Sequence, residues 1–138
     1  MQLNPYLSFA GECREALSFY KECLSGEVTM QTIGESPMAA SMPAEVQNNI
    51  LHATVSKDGV VLLMASDMFT QGEMVKGTNI TLTLGCASEE EIQSVFAKLA
   101  VGGQITTPLR TEFWGATFGQ IVDKYGFSWM LNFDKPAS

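Results

Sequence analysis

The sequence predicts an α+β fold built from two βαβββ modules. Strand-like and helical patterns follow one another in the order strand, helix, strand, strand, strand, and the same order then repeats. An offset of 76 residues aligns the end of the first predicted helix, at Gly26, with the end of the second, at Gly102. The chain length of 138 residues suits one domain. We therefore expect residues 1–138 to form a single domain of two repeats, about 1–70 and 77–138.

The first module begins with a strand predicted over residues 4–10, which Gly11 ends. From Glu12 onward apolar residues recur at helical spacing, and Gly26 is typical of a helix end. Residues 27–33 alternate between apolar and polar side chains, which predicts a second strand. The apolar stripe of the helix is predicted to contain Cys13, Ala16, Leu17, Tyr20 and Leu24.

The segment from Gly34 to Asn49 has no clear hydrophobic period and contains Pro37 and Pro43. Loops of this length without structure of their own are uncommon in compact domains. The segment is therefore either a mobile cover over a site or a partly helical excursion.

A β-hairpin is the strongest local signal in the chain. Residues 50–57 and 60–67 are strand-like, and Asp58-Gly59 between them is typical of a two-residue turn, because both central residues must tolerate positive φ. If the residues that flank the turn pair, strand alternation divides the hairpin into two faces. The apolar face, which should pack on a helix, carries Leu51, Ala53, Val55, Leu62 and Met64. The more polar face, which should line a cavity or meet solvent, carries His52, Thr54, Ser56, Leu63, Ala65 and Asp67.

The second module repeats the pattern. Ser88 and Glu91 form a capping box at the start of a helix, and Gly102-Gly103 follows the end of its apolar stripe. A Phe113-Trp114-Gly115 turn separates two of the strands. The predicted strands are residues 79–86, 104–111, 116–123 and 127–133.

Composition excludes several classes of function. The 15 acidic and 8 basic residues leave a formal net charge of −7, which disfavours nucleic acid and anionic membrane surfaces. The single histidine excludes metal sites that need two or three histidines from one chain. No run of 18 apolar residues and no signal-like start occurs. The three cysteines have no CxxC spacing, so we expect reduced thiols in a cytoplasmic protein with no nucleic-acid or membrane partner.

The chain resembles the vicinal-oxygen-chelate superfamily, which includes glyoxalase I, bleomycin-binding proteins and extradiol dioxygenases, and within it the PhnB-like branch. The resemblance spans nearly the whole chain. It is carried by NPYLSF near the start, SFYKECLSGEV, His52 in ILHATV, LMASD at 63–67, LAVGGQI, FWG at 113–115, and Asp123, Gly126 and Trp129.

The resemblance implies a glyoxalase-like, cup-shaped mixed β-sheet with helices on its convex side, and a homodimer. It places the metal ligands of the superfamily at Pro5, Leu63 or its neighbour, Asn79 or Thr81, and Met130. None of these is a strong ligand for a divalent ion, so we expect no metal and no cofactor. A ubiquinone methyltransferase name is sometimes given to this branch, but the chain lacks a glycine-rich GxGxG loop and the length for that fold.

His52 and Asp67 are the candidate catalytic residues, because the expected register makes them diagonal neighbours on one face of the hairpin. A histidine oriented by a carboxylate is the usual arrangement of a general base near neutral pH. Alternatively, His52 bonds Asp67 or a backbone carbonyl and only stabilises the hairpin. Trp114 is either a buried edge of the core or an aromatic wall of the site.

We expect this protein to bind a small, largely apolar or aromatic molecule without a metal, as the antibiotic-sequestering members of the superfamily do. The alternative is a lyase, isomerase or transferase that uses His52 with Asp67 as acid and base. Besides these two residues, the side chains predicted to contact the ligand are Phe9, Thr54, Thr81, Trp114 and Met130.

Overall fold

The computed structural model describes residues 1–68 and 72–136. It divides the chain into two compact units, Met1–Met74 and Val75–Ser138. Each unit contains one four-stranded mixed sheet and one α-helix, in the order βαβββ. The predicted α+β class with two βαβββ modules is therefore confirmed. The expected end of the first repeat, at residue 70, lies outside the described residues.

The first unit contains the helix and all four strands predicted for it. Its sheet has the strand order β1-β4-β3-β2, in which β1 runs parallel to β4 and the other pairs are antiparallel. Helix α1 packs on one face of this sheet, against β2, β3 and β4. The elements are β1 (Tyr6–Ser8), α1 (Cys13–Leu24), β2 (Glu27–Thr32), β3 (Ile50–Lys57) and β4 (Val60–Ser66).

Helix α1 buries the predicted stripe together with Cys23. Its end differs from the prediction, because Ser25 takes the left-handed conformation with φ 53° and the Gly26 amide donates to the Lys21 carbonyl at 3.0 Å. Gly26 has another role: a Cβ there would lie 2.6 Å from the backbone oxygen of Ser56. The glycine is therefore needed where the chain passes close to β3.

The segment between β2 and β3 was predicted to be either a mobile cover or a partly helical excursion, and it is partly helical. It contains two short 3₁₀ helices, Pro37–Ser41 and Ala44–Val46. The Gly34 amide donates to the Gln47 carbonyl at 2.8 Å, which closes the base of the segment. The Gln47 side-chain amide donates to the carbonyls of Ala39 and Met42 at 2.9 and 3.0 Å, and so fills its centre.

The β3–β4 hairpin has the predicted turn but a different register. Lys57 pairs with Val60, and Asp58 and Gly59 both have positive φ, as expected. A bulge then inserts Leu62, so that Val55 pairs with Leu63. The predicted faces of β4 were wrong, because this extra residue exchanges them: Leu63 and Ala65, 1% and 0% exposed, lie on the α1 side with Val55.

The face of this sheet that α1 leaves uncovered is called the first open face. Strand pairing and alternation place side chains from all four strands on it. They include Tyr6, Ser8, Thr29, Gln31, His52, Thr54 and Met64.

The second unit repeats the topology, with the strand order β5-β8-β7-β6 and β5 parallel to β8. Helix α2 packs on β6, β7 and β8. Of the predicted capping box the structure shows the bond at the serine side chain, since the Ser88 hydroxyl accepts from the Glu91 amide at 3.0 Å. No helix among the described residues has the length and apolar character needed to cross a membrane. The elements are β5 (Thr81–Gly85), α2 (Glu89–Ala100), β6 (Gln104–Thr111), β7 (Ala116–Val122) and β8 (Ser128–Asp134).

A buried carboxylate organises the turn before β8. Asp123 is 3% exposed, and its Oδ1 accepts from the amides of Tyr125 and Phe127 at 2.8 and 3.1 Å. Its Oδ2 accepts from the indole N–H of Trp129 at 2.7 Å. One aspartate therefore shapes the turn and holds the largest side chain of β8.

Gly119 lies where β7 packs against Phe96 of α2. A Cβ at this position would lie 2.7 Å from the Phe96 ring and 2.9 Å from a methyl group of Leu109. No Cβ fits unless these side chains move.

We expect Asp123→Ala to lower the free energy of unfolding by roughly 3 kcal/mol or more, because three donors lose their acceptor and the Trp129 N–H stays buried. Urea unfolding followed by circular dichroism measures the change. Asp134→Ala removes an exposed acceptor two residues from Asn132 and is the control, with an expected change below about 0.5 kcal/mol. Equal stability of the Asp123 variant and wild type would contradict the assigned role.

Gly119→Ala should destabilise the protein by about 1–3 kcal/mol, because an added methyl group overpacks the contact with Phe96. Gly85→Ala is a matched control in a strand, since a Cβ there would meet nothing within 4 Å. Thermal unfolding of the two variants should show a lower midpoint for the first alone. An equal fall of the unfolding midpoint in both variants would mean that the loss comes from replacing a glycine in a strand, and not from the contact with Phe96.

Candidate functional site

A histidine–tyrosine pair lies on the first open face. His52 is exposed on β3 opposite Gln31 of β2, and its Nδ1 lies 3.1 Å from the Tyr6 hydroxyl oxygen. Tyr6 pairs with Met64 of β4, and Met64 pairs with Thr54 of β3. The tyrosine side chain therefore extends over β4 to the histidine. The two rings are 5.7 Å apart between centroids and tilted by 36°.

The carboxylate of Asp67 bonds only backbone donors in the described contacts. Its Oδ1 accepts from the amides of Gly11 and Cys13 at 2.8 and 3.0 Å, and its Oδ2 accepts from the Ile50 amide at 2.8 Å. Cys13 is the first residue of α1 and Gly11 directly precedes its N-cap, and an acidic group at a helix N-terminus is favoured by the helix dipole. The third donor begins β3. Asp67 therefore joins the end of β4 to the helix and to the neighbouring strand.

The predicted pairing of His52 with Asp67 rested on the register that the bulge at Leu62 changes. Ala65 lies opposite Ala53, where the prediction placed it opposite His52. The structure gives each residue other partners, Tyr6 for the histidine and backbone amides for the aspartate. A catalytic role for either residue remains a prediction.

The two remaining ligand-contact residues predicted in the first unit lie on different sides of the sheet. The Thr54 hydroxyl is on the first open face and lies 2.7 Å from the Thr29 hydroxyl. Phe9 is 4% exposed in the core, and Leu7 is 6% exposed. In β1 it is Tyr6, and not Phe9, whose side chain lies on the first open face.

In the second unit, Thr81 is exposed on β5 and Met130 is half-buried on β8. Both have the alternation of the face opposite α2, since Thr81 pairs with Ser128, two residues before Met130. Trp114 is 58% exposed in the β6–β7 turn, so the buried-edge interpretation was wrong. Its ring packs edge-on against that of Phe113, with centroids 5.0 Å apart.

The positions at which the resemblance places metal ligands do not fit a metal. Leu63 is buried on the α1 side, and Pro5, Asn79, Thr81 and Met130 provide no imidazole or carboxylate donor. Within the described part of the chain, no three His, Cys, Asp or Glu side chains lie close enough to hold a metal ion.

The buried thiol at the start of α1 is not an activated nucleophile. Burial raises the pKa of Cys13 to about 12, with the negative charge of Asp67 acting in the same direction and the positive charge of Arg14 opposing it. The thiol is protonated at neutral pH. A cysteine nucleophile needs the opposite shift.

Sequence reasoning missed Tyr6 as a site residue. In a strand, alternate side chains of residues 6–9 point to opposite faces of the sheet. The sequence does not show which of the two faces packs on the helix. The parallel pairing of β1 with β4 decides that question, and it joins segments nearly 60 residues apart.

Comparison with known proteins shows the family. The family model described as 3-demethylubiquinone-9 3-methyltransferase matches residues 1–132. Protein YjdN of Escherichia coli (strain K12) is 35% identical over 141 residues, which cover 96% of this chain and 95% of YjdN. The crystal structure of protein PA1353 from Pseudomonas aeruginosa is 35% identical, covers 99% of both chains and has a TM-score of 0.84.

A Bacillus cereus structure described as a putative 3-demethylubiquinone-9 3-methyltransferase, PhnB protein, is 28% identical with a TM-score of 0.75, covering 96% of this chain and 99% of that one. A glyoxalase/bleomycin resistance protein/dioxygenase family enzyme from Burkholderia phytofirmans PsJN, 8% identical over 96% of both chains, shares the fold with a TM-score of 0.60. The chain therefore belongs to the family described as 3-demethylubiquinone-9 3-methyltransferase, the predicted PhnB-like branch, and it shares the fold of a glyoxalase/bleomycin resistance protein/dioxygenase family enzyme.

Proposed function

We propose that the first open face binds a small, largely apolar or aromatic molecule, without a metal, through a directed hydrogen bond from the His52–Tyr6 pair. The observation that carries the proposal is this pair, an exposed imidazole joined to a tyrosine hydroxyl at 3.1 Å on a sheet face that the helix leaves uncovered. Binding sites for small molecules typically combine apolar and aromatic surface with a few placed polar groups.

The neighbouring side chains support the same class of ligand. The Tyr6 ring is 50% exposed and Met64 is half-buried, so both can offer apolar contact. The Thr29 and Thr54 hydroxyls share one hydrogen bond of 2.7 Å. The His52 imidazole is an exposed polar group on this face, and the exposed Gln31 lies opposite it on β2.

Other expectations stay predictions. Thr81, Trp114 and Met130 belong to the second unit and not to the first open face. Their contact with a ligand stays a separate prediction. The same holds for a homodimer, a cytoplasmic location, the absence of nucleic-acid partners, and an enzyme that uses His52 with Asp67. We do not propose the methyltransferase activity that the family description names. The chain lacks the glycine-rich GxGxG loop of the common methyltransferase fold.

Asp67→Ala should lower the free energy of unfolding by roughly 2 kcal/mol, because three backbone amides lose their acceptor and α1 loses an N-terminal partner. His52→Gln should change it by less than about 0.5 kcal/mol, since the imidazole is exposed. Urea unfolding of both variants gives the comparison. Loss of cooperative unfolding in the His52 variant would instead assign the histidine a structural role and remove the basis of the proposed site.

Ligand binding can be followed with ¹³C-methyl methionine NMR, using acetophenone and indole as probes. Met64 lies on the first open face, whereas Met30 pairs with Ala53 on the α1 side and is the internal control. We expect saturable shifts of the Met64 methyl signal, assigned with Met64→Leu, and a much smaller change at Met30. His52→Phe should weaken acetophenone binding about 5-fold. No shift at Met64 with either probe at millimolar concentration would contradict the proposal.

A further inference from the structure

The bond between Tyr6 and His52 leaves one nitrogen of the imidazole unused. Tyr6 contacts Nδ1, and Nε2 has no hydrogen-bond partner among the residues that the structure describes. In a neutral imidazole one nitrogen donates and the other accepts, and the partner of one nitrogen decides the state of the other. The direction of the Tyr6 bond therefore determines what Nε2 offers to a ligand.

A phenol O–H is a good hydrogen-bond donor, and its oxygen is a poor acceptor because a lone pair is delocalised into the ring. The unprotonated nitrogen of imidazole is a strong acceptor. The better match is thus a Tyr6 hydroxyl that donates to Nδ1, which places the imidazole proton on Nε2. The opposite direction would pair the weaker donor with the weaker acceptor.

We infer that Tyr6 is a positioning residue that holds His52 as an outward hydrogen-bond donor through Nε2, so that the site selects ligands presenting an acceptor beside an aromatic or apolar group. A carbonyl, ether or pyridine-type nitrogen has this chemistry, whereas a ligand whose polar group only donates does not. The inference concerns the ligand class of the first open face and rests on the proposed function.

The proton position can be measured without a ligand. His52 is the only histidine of the chain, so two-bond ¹H–¹⁵N correlation of a ¹⁵N-histidine sample needs no assignment. At about pH 9, where imidazole is neutral, we expect a pyrrole-like Nε2 and a pyridine-like Nδ1. Tyr6→Phe keeps the ring and removes the hydroxyl, and should move both shifts toward the averaged values of free histidine.

Thr83→Val removes an exposed hydroxyl of the second unit and is the matched control, with the spectrum of wild type expected. A pyrrole-like Nδ1 in wild type would overturn the inference, and so would a Tyr6→Phe spectrum identical to wild type. A change of the imidazole shifts in Thr83→Val as large as that in Tyr6→Phe would also count against the inference.

The ligand class is tested with two neutral probes, acetophenone, which only accepts, and indole, which only donates. Tyr6→Phe should weaken acetophenone binding about 5-fold, the contribution of one neutral hydrogen bond, and leave indole binding unchanged. An equal loss for both probes, or a loss for indole alone, would overturn the selectivity. If neither probe binds wild type, the proposed function fails, while the imidazole shifts still decide the role of Tyr6.

Discussion

The carboxylate of Asp67 joins three parts of the first unit that are distant in sequence. It lies at the end of β4 and accepts hydrogen bonds from the backbone at the start of α1 and at the start of β3. The helix needs this outside acceptor, because the side chain of Glu12 at its N-cap caps no amide within the described part of the chain. The partner of His52 in the structure is therefore Tyr6 rather than this carboxylate.

The second unit uses the same physical device at another place in the module. Asp123 gathers the amides of the turn before β8 and the indole N–H of Trp129. Buried or half-buried carboxylates are stable when several N–H groups point at them, and each then orders the segments that supply the donors. In both units an aspartate carboxylate thus holds the backbone together, and in the first unit it is the aspartate predicted to be catalytic.

The order of elements could be predicted because it depends on local patterns, such as the stripe of α1, the Asp58-Gly59 turn and the cap at Ser88. The faces of β4 could not, since residues 60–65 are all apolar and no alternation reveals a bulge at Leu62. The Tyr6–His52 contact depends on a parallel pairing that no local pattern encodes. The role of Asp67 as an acceptor for the backbone could have been suspected, because no good capping residue precedes α1. The prediction instead paired Asp67 with His52 across the hairpin.

Amide hydrogen exchange of Gly11 and Cys13 tests whether the Asp67 carboxylate holds the start of the helix, because both amides donate to this carboxylate. Exchange in the native protein is slow where an amide is hydrogen-bonded in a stable structure. We predict that both amides are protected in wild type and that both lose protection in Asp67→Ala, while the amides of β7 keep theirs. Exchange of the Gly11 and Cys13 amides at the rates of an unfolded chain in wild type would contradict this role of Asp67.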